Sequence, residues 1–176
     1  GETVLVQAGG SGVGSAAIQI AKYLGATVIA TASTPEKLEA ALGLGADATI
    51  NYKTEDVVKR VREITAKRGV DVVFEHIGGE TFESSLKCLA WAGRLVTCGA
   101  TTGIKANINL RHLFFKSQSI LGSTMGSKGE YHKLVRLYGA GHFNAVVDRV
   151  LPMDQVVQAH EALERREVFG KVVLKP

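Results

Sequence analysis

The residues with the clearest chemical use form a glycine run near the N-terminus, Gly9-Gly10-Ser11-Gly12-Val13-Gly14. It follows a short apolar, β-branched stretch, Val4-Leu5-Val6-Gln7-Ala8, and precedes an amphipathic one. A strand that turns at once into a helix makes three demands there. One position takes a positive φ, which glycine does without steric penalty. A second lets the main chain approach a diphosphate, and a third lets helix and strand close up. The free N–H groups and positive dipole end of the helix then face the phosphates. Two registers of Gly-x-Gly-x-x-Gly fit: Gly12, Gly14 and Ala17, or Gly9, Ser11 and Gly14. The second is preferred, because Gly9 falls at the strand end and Ser11 adds a hydroxyl donor for phosphate. The same residues could also make a turn that binds nothing; the strand-to-helix context favours binding.

The end of the next strand decides which dinucleotide such a turn suits. Sites for NAD place an Asp or Glu there, on the ribose 2′-OH. Here the tip reads Thr31-Ala32-Ser33-Thr34, with no acid before Glu36. Ala32 and Ser33 leave room for a 2′-phosphate, and Lys37, one turn into the following helix, is placed to neutralise it. The expectation is NADP(H) in preference to NAD(H).

Little else offers chemistry. Cys88 and Cys98 lack the close pairing of zinc ligands, and His76, His112, His132, His142 and His160 are scattered. No Ser/His or Cys/His pairing suggests a nucleophile. No catalytic residue and no metal ligand is assigned.

The elements that position these residues alternate along the chain. Strands are expected at 4–8, 27–31, 47–50, 70–74, 93–98 and 119–121, with a last one at 171–174. Helices are expected at 15–24, from Pro35 to about Leu42, after the Thr54-Glu55-Asp56 cap, and at 80–89, 128–138 and 153–165. Strand and helix in alternation give a parallel sheet covered on both faces. The fold class is therefore α/β: a Rossmann-type, doubly wound, six-stranded parallel sheet. Residues 1–150 read as the nucleotide-binding domain. Residues 151–176, after the Leu151-Pro152 break, read as a helix and strand that pack on a domain outside this chain.

The 176 residues are 45% hydrophobic and 22% charged, with 20 glycines and 3 prolines. That is globular usage, and it excludes disorder. Net charge is +4. The basic residues are scattered without aromatic interleaving, which argues against nucleic acid. No apolar run approaches a membrane span. Two cysteines suit a reducing, cytoplasmic compartment. The chain opens almost inside a strand without an initiator Met, as a fragment would.

The sequence resembles the cofactor domain of medium-chain dehydrogenase/reductases, in the quinone oxidoreductase and zinc-type alcohol dehydrogenase group. The matching stretches are Gly9 through Lys22, Leu44-Gly45-Ala46-Asp47, Ile50-Asn51-Tyr52, Val70 through Glu75, Gly93-Arg94-Leu95-Val96, Leu121-Gly122-Ser123 and Phe169 through Leu174. Ser11 departs from the stricter alcohol dehydrogenase turn. The resemblance implies that Gly12 and Val13 N–H groups hold the diphosphate and that Tyr52 lies near the 2′-phosphate. It puts His76 and Ile77 beside the adenosine ribose, and Cys98, Gly99, Ala100, Ser123 and Met125 by the nicotinamide. Lys171 would reach back toward the cofactor. It also implies a homodimer through the edge of the sixth strand. Zinc, where present, belongs to a catalytic domain that precedes this one. The implied activity is hydride transfer in a quinone, enoyl or carbonyl reductase, or an alcohol dehydrogenase. The alternative is a non-catalytic nucleotide-binding or scaffolding module that retains the fold.

Overall fold

The computed structural model describes residues 1–176, the side chain of Glu80 excepted. Six strands form one parallel sheet: β1 (Thr3–Val6), β2 (Thr27–Ala32), β3 (Ala48–Asn51), β4 (Val70–Glu75), β5 (Leu89–Thr97) and β6 (Ser119–Gly122). Their order is β3-β2-β1-β4-β5-β6. β1 therefore lies centrally, with Val4–Val6 paired to Val28–Ala30 on one side and to Val72–Phe74 on the other. The strand order reverses there, and an open α/β sheet carries its ligand crevice at that point.

Alternation along each strand sends side chains to two cores. Leu5, Ile29, Ile50 and Val73 pack with Val61 of α3 (Val57–Ile64) and with Phe82 and Leu86 of α4 (Gly79–Cys88). Val6, Val28 and Ala30 pack with Ile18 of α1 (Gly12–Tyr23) and Ala41 of α2 (Pro35–Gly43) on the opposite face. Neighbouring residues thus bury on opposite faces, which makes the sheet doubly wound. Asp47 joins these layers. Its carboxylate accepts from the Val28 N–H at 2.7 Å and pairs with Lys22 of α1 at 2.8 Å.

The remaining elements are α5 (Leu110–Phe115), α6 (Lys128–Gly139), β7 (Val147–Pro152), α7 (Val156–Glu164) and β8 (Lys171–Lys175). β7 and β8 form their own two-stranded parallel sheet. Several boundaries differ from the sequence expectation for local reasons. α1 starts at Gly12 rather than Ser15, because Ser11 caps it and its hydroxyl accepts from the Gly14 N–H at 2.9 Å. β5 starts at Leu89; Ala92 takes φ +56 inside it and the pairing with β4 slips between Val70 and Val72. α5 was not expected. It has six residues, too few to show a period, and depends on Asn109 accepting from the Arg111 and His112 N–H groups. Leu151-Pro152 closes β7 rather than breaking the chain, so a division after residue 150 falls inside a strand. Proline is tolerated at such a strand end. The expected 153–165 helix is a 3₁₀ turn at Met153–Gln155 followed by α7.

Candidate functional site

A cleft of about 930 Å³ opens at the C-terminal ends of β1, β2 and β4. The glycine turn forms its floor. The positive φ of this turn falls on Ala8, at +47, and on none of Gly9, Gly10, Gly12 or Gly14. The expectation that a glycine takes the positive φ of this turn is thereby corrected. What the glycines supply is space. A Cβ at Gly14 would lie 2.9 Å from Gly9 Cα and closer still to the Ala8 carbonyl oxygen. Gly14 is therefore the position where helix and strand close up, as the Gly9, Ser11 and Gly14 register has it. A Cβ at Gly9 would stand 3.1 Å from Ala30 Cβ and Ile18 Cδ1. Ser11 takes the Gly14 N–H, which leaves the Gly12 and Val13 N–H groups, among the described residues, without a protein acceptor at the helix start.

Of the residues expected at a site, Ser11, Gly12, Val13, Ala32, Ser33, Lys37, Tyr52, His76 and Ile77 line the cleft. Gly9 and Gly14 lie beneath it as packing positions. Cys98, Gly99, Ala100, Ser123 and Met125 do not line it. They follow the ends of β5 and β6, where the Ser123 N–H donates to the Thr97 carbonyl at 2.9 Å and Met125 stands almost fully exposed.

Sequence reasoning missed the C-terminal wall. Leu163, Arg166, Val168 and Gly170 also line the cleft, together with Lys171. The 166–171 segment crosses the glycine turn. The Gly170 N–H donates to the Gly10 carbonyl at 2.8 Å, and the Lys37 ammonium donates to the Arg166 and Val168 carbonyls at 2.5 and 2.9 Å. The methylene stem of Lys171 lies over Gly12. The C-terminal residues, expected to pack on a domain outside the chain, return to this chain's own first turn. The pairing of Phe169-Gly170-Lys171 with the family was the available sequence signal, although it named only Lys171.

Charge in the cleft is positive at the β2 tip. Partial burial holds the Lys37 pKa below its ordinary value, helped by nearby Lys53 and Arg166 and opposed by Asp148. The carboxylates at this end are already engaged. Glu55 accepts from the Asn51 N–H at 2.7 Å and pairs with Arg60 at 2.8 Å. Asp56 caps α3 by accepting from the Lys59 N–H at 3.0 Å.

Beneath the cleft runs a buried polar chain with one direction. The Ala8 N–H donates to Thr31 Oγ1 at 3.0 Å, and Thr31 donates to Gln7 Oε1 at 2.9 Å. Gln7 Nε2 donates to Ser85 Oγ at 3.0 Å, and Ser85 donates to Glu75 Oε2 at 2.6 Å. Glu75, fully buried, also accepts from the Ile77 and Gly78 N–H groups and the Thr81 hydroxyl. A buried charge needs such partners. This one fixes the β4–α4 turn that holds His76 and Ile77 in the cleft.

Among the described residues no group of three His, Cys, Asp or Glu side chains is placed to hold a metal. Burial pushes the Cys88 thiol up to about 12.

A switch-point cleft over a glycine turn, with free helix N–H groups, defines the nucleotide-binding half of a doubly wound domain. Residues 12–140 match the family described as zinc-binding dehydrogenase. The chain belongs to that family, as the cofactor-binding domain of the medium-chain dehydrogenase/reductase superfamily. It is 35% identical over 186 residues to a 2-haloacrylate reductase of Burkholderia sp, covering all of this chain and 56% of that protein. It is also 35% identical to a quinone oxidoreductase of Pseudomonas aeruginosa, covering all of this chain and 57% of that protein. A crystal structure of an NAD-dependent alcohol dehydrogenase superposes with TM-score 0.94 at 46% identity, over the whole chain and 51% of the other. A crotonyl-CoA carboxylase/reductase in complex with NADP gives TM-score 0.91 at 26% identity, over 99% of this chain and 49% of the other. The chain spans about half the length of the relatives it matches. Among the described residues no helix is long and apolar enough to cross a membrane.

Proposed function

We propose that this chain is the NADP(H)-binding half of an oxidoreductase acting as a quinone, enoyl or carbonyl reductase or an alcohol dehydrogenase. The observation that carries this is the β2 tip, which has small residues, Ala32 and Ser33, and the cations Lys37 and Arg166 facing one cleft with, among the described residues, no carboxylate left without a donor. A phosphomonoester fits that arrangement and a bare ribose diol does not need it. The Gly12 and Val13 N–H groups and the Ser11 hydroxyl would take the diphosphate, with Lys171 above it. Tyr52 would lie against the adenosine end. His76 and Ile77 would border the ribose, and the main chain at Cys98, Gly99, Ala100, Ser123 and Met125 would lie beyond the cleft toward the nicotinamide. When bound, the cofactor supplies the hydride chemistry; the residues of this chain bind and orient it. No residue here is assigned a proton-transfer role, and the substrate pocket belongs to the remaining half of the parent.

A second copy pairing along β6 is part of this proposal. β6 is the outer strand of the six, paired to β5 through residues 119–122. An open strand edge invites such pairing.

NAD(H) is the second reading, favoured by the NAD-dependent dehydrogenase at 46% identity. Titration of the chain with NADPH and NADH, followed by calorimetry or by Trp91 fluorescence, separates the two. Tighter NADPH binding supports the proposal, and equal or tighter NADH binding overturns the preference. Failure to bind either nucleotide favours a retained fold without a cofactor.

A further inference from the structure

His76 stands just past the end of β4 with its Nε2 3.2 Å from Ser11 Oγ, inside the cleft. The groups around the ring come from several elements. The main chain of Gln7, just past β1, and of His76 itself favours the charged ring. The Phe74 ring is 6.0 Å away between centroids. Glu75 acts on it through space, but that carboxylate points into Ile77, Gly78, Thr81 and Ser85. From β8, Lys171 lies over Gly12, the neighbour of Ser11. Burial dominates and lowers the His76 pKa from its ordinary 6.5. That burial favours the neutral ring at rest.

In a neutral imidazole one nitrogen donates and the other accepts. Nε2 faces Ser11 Oγ at 3.2 Å, and in the tautomer that carries its proton on Nδ1 it accepts the Ser11 hydroxyl proton. Ser11 Oγ already receives the Gly14 N–H at 2.9 Å. An anion at the start of α1 competes for the one proton Ser11 has. Once that O–H turns to a phosphate oxygen, Nε2 faces Ser11 Oγ with nothing to accept. A proton on Nε2 restores the pairing, because Nε2–H then donates to the remaining lone pair of Oγ. The imidazolium also stands beside the anion.

Resting on the nucleotide-binding reading, we propose that dinucleotide binding here is proton-linked: the diphosphate takes the Ser11 hydroxyl and His76 takes up one proton from solvent. The proton leaves a buffer acid, whose conjugate base remains in solution, and forms the Nε2–H bond; no other bond changes. His76 is thus a positioning residue whose charge follows the occupancy of the cleft.

The test is calorimetric titration with NADH in buffers of different ionisation enthalpy between pH 6 and 8. NADH is the suitable probe because the 2′-phosphate of NADPH titrates near pH 6 itself. The expected result is net uptake of up to one proton per NADH, with affinity rising as pH falls by at most about tenfold per unit. Both effects vanish in His76→Gln and in Ser11→Ala. Buffer-independent heats in the wild type, or uptake that persists in His76→Gln, overturn the proton linkage while leaving nucleotide binding intact. No binding of NADH or NADPH by the folded wild-type chain overturns the nucleotide reading and the linkage with it.

Discussion

The Lys37 ammonium donates to the carbonyls of Arg166 and Val168, at 2.5 and 2.9 Å, across 129 and 131 residues of sequence. One side chain therefore ties the β2 tip to the chain's C-terminal wall. It also places Arg166 at the same end of the cleft, within electrostatic reach of Lys37.

Lys37→Met removes that tie and one cation together. NADPH affinity should fall by about tenfold or more, the scale of one charge-assisted contact, and NADH affinity should fall by much less. Hydrogen exchange at Val168 and Gly170 should quicken. Equal losses for the two nucleotides in titration would place the phosphate elsewhere.

Ser33→Asp puts a carboxylate at the β2 tip. NADPH binding should weaken by about 1–2 kcal/mol through repulsion at the dielectric of a partly open cleft, while NADH binding holds or improves. Thr31 is the wrong place for this change. It is fully buried and donates to Gln7, so an acid there would damage the fold first.

Gly14→Ala should be far more damaging than a surface glycine replacement. The new Cβ meets main chain at Ala8 and Gly9, which cannot step aside as a side-chain end can. A loss of about 1–3 kcal/mol is expected from overpacking, read in urea unfolding. Nucleotide binding should weaken further, because α1 must lift from β1.

Ser85→Ala cuts the buried polar chain at its middle. Gln7 Nε2 loses its acceptor and Glu75 Oε2 one of its donors. Destabilisation of about 1–3 kcal/mol is the scale for a buried group left unsatisfied. A change below measurement in urea would mean that water replaces the hydroxyl.

Asp71 gives a pH dependence of defined sign. Its hydrogen bond from Arg68, with another from the Thr3 N–H, holds the folded pKa below the ordinary 3.8. A depressed folded pKa contributes stability above the unfolded value and loses it as pH falls through the folded one. Stability measured at pH 7 and pH 3 should therefore drop less in Asp71→Asn than in the wild type.

What could be read from sequence was what depends on neighbours along the chain. The glycine turn, the acid-free tip after β2 and the alternation of strands and helices are local patterns, and they gave the sheet and most of the cleft floor. Arg166 and Val168 were illegible because a surface arginine and a valine look the same whether or not a strand brings them home. Glu75 reads as a charge at a strand end, and only the fold shows it sealed among four donors. The positive φ went to Ala8 because local sequence shows where a turn falls and leaves open which residue absorbs it.

The return of residues 166–171 over the glycine turn also has a consequence in time. During synthesis the floor of the cleft emerges well before its last wall, so the sheet can assemble on the ribosome before any nucleotide is fully enclosed. A protease that clips the chain after Arg165 would leave the folded sheet and remove the finished pocket. Folding and occupancy are in this way written into separate stretches of the chain.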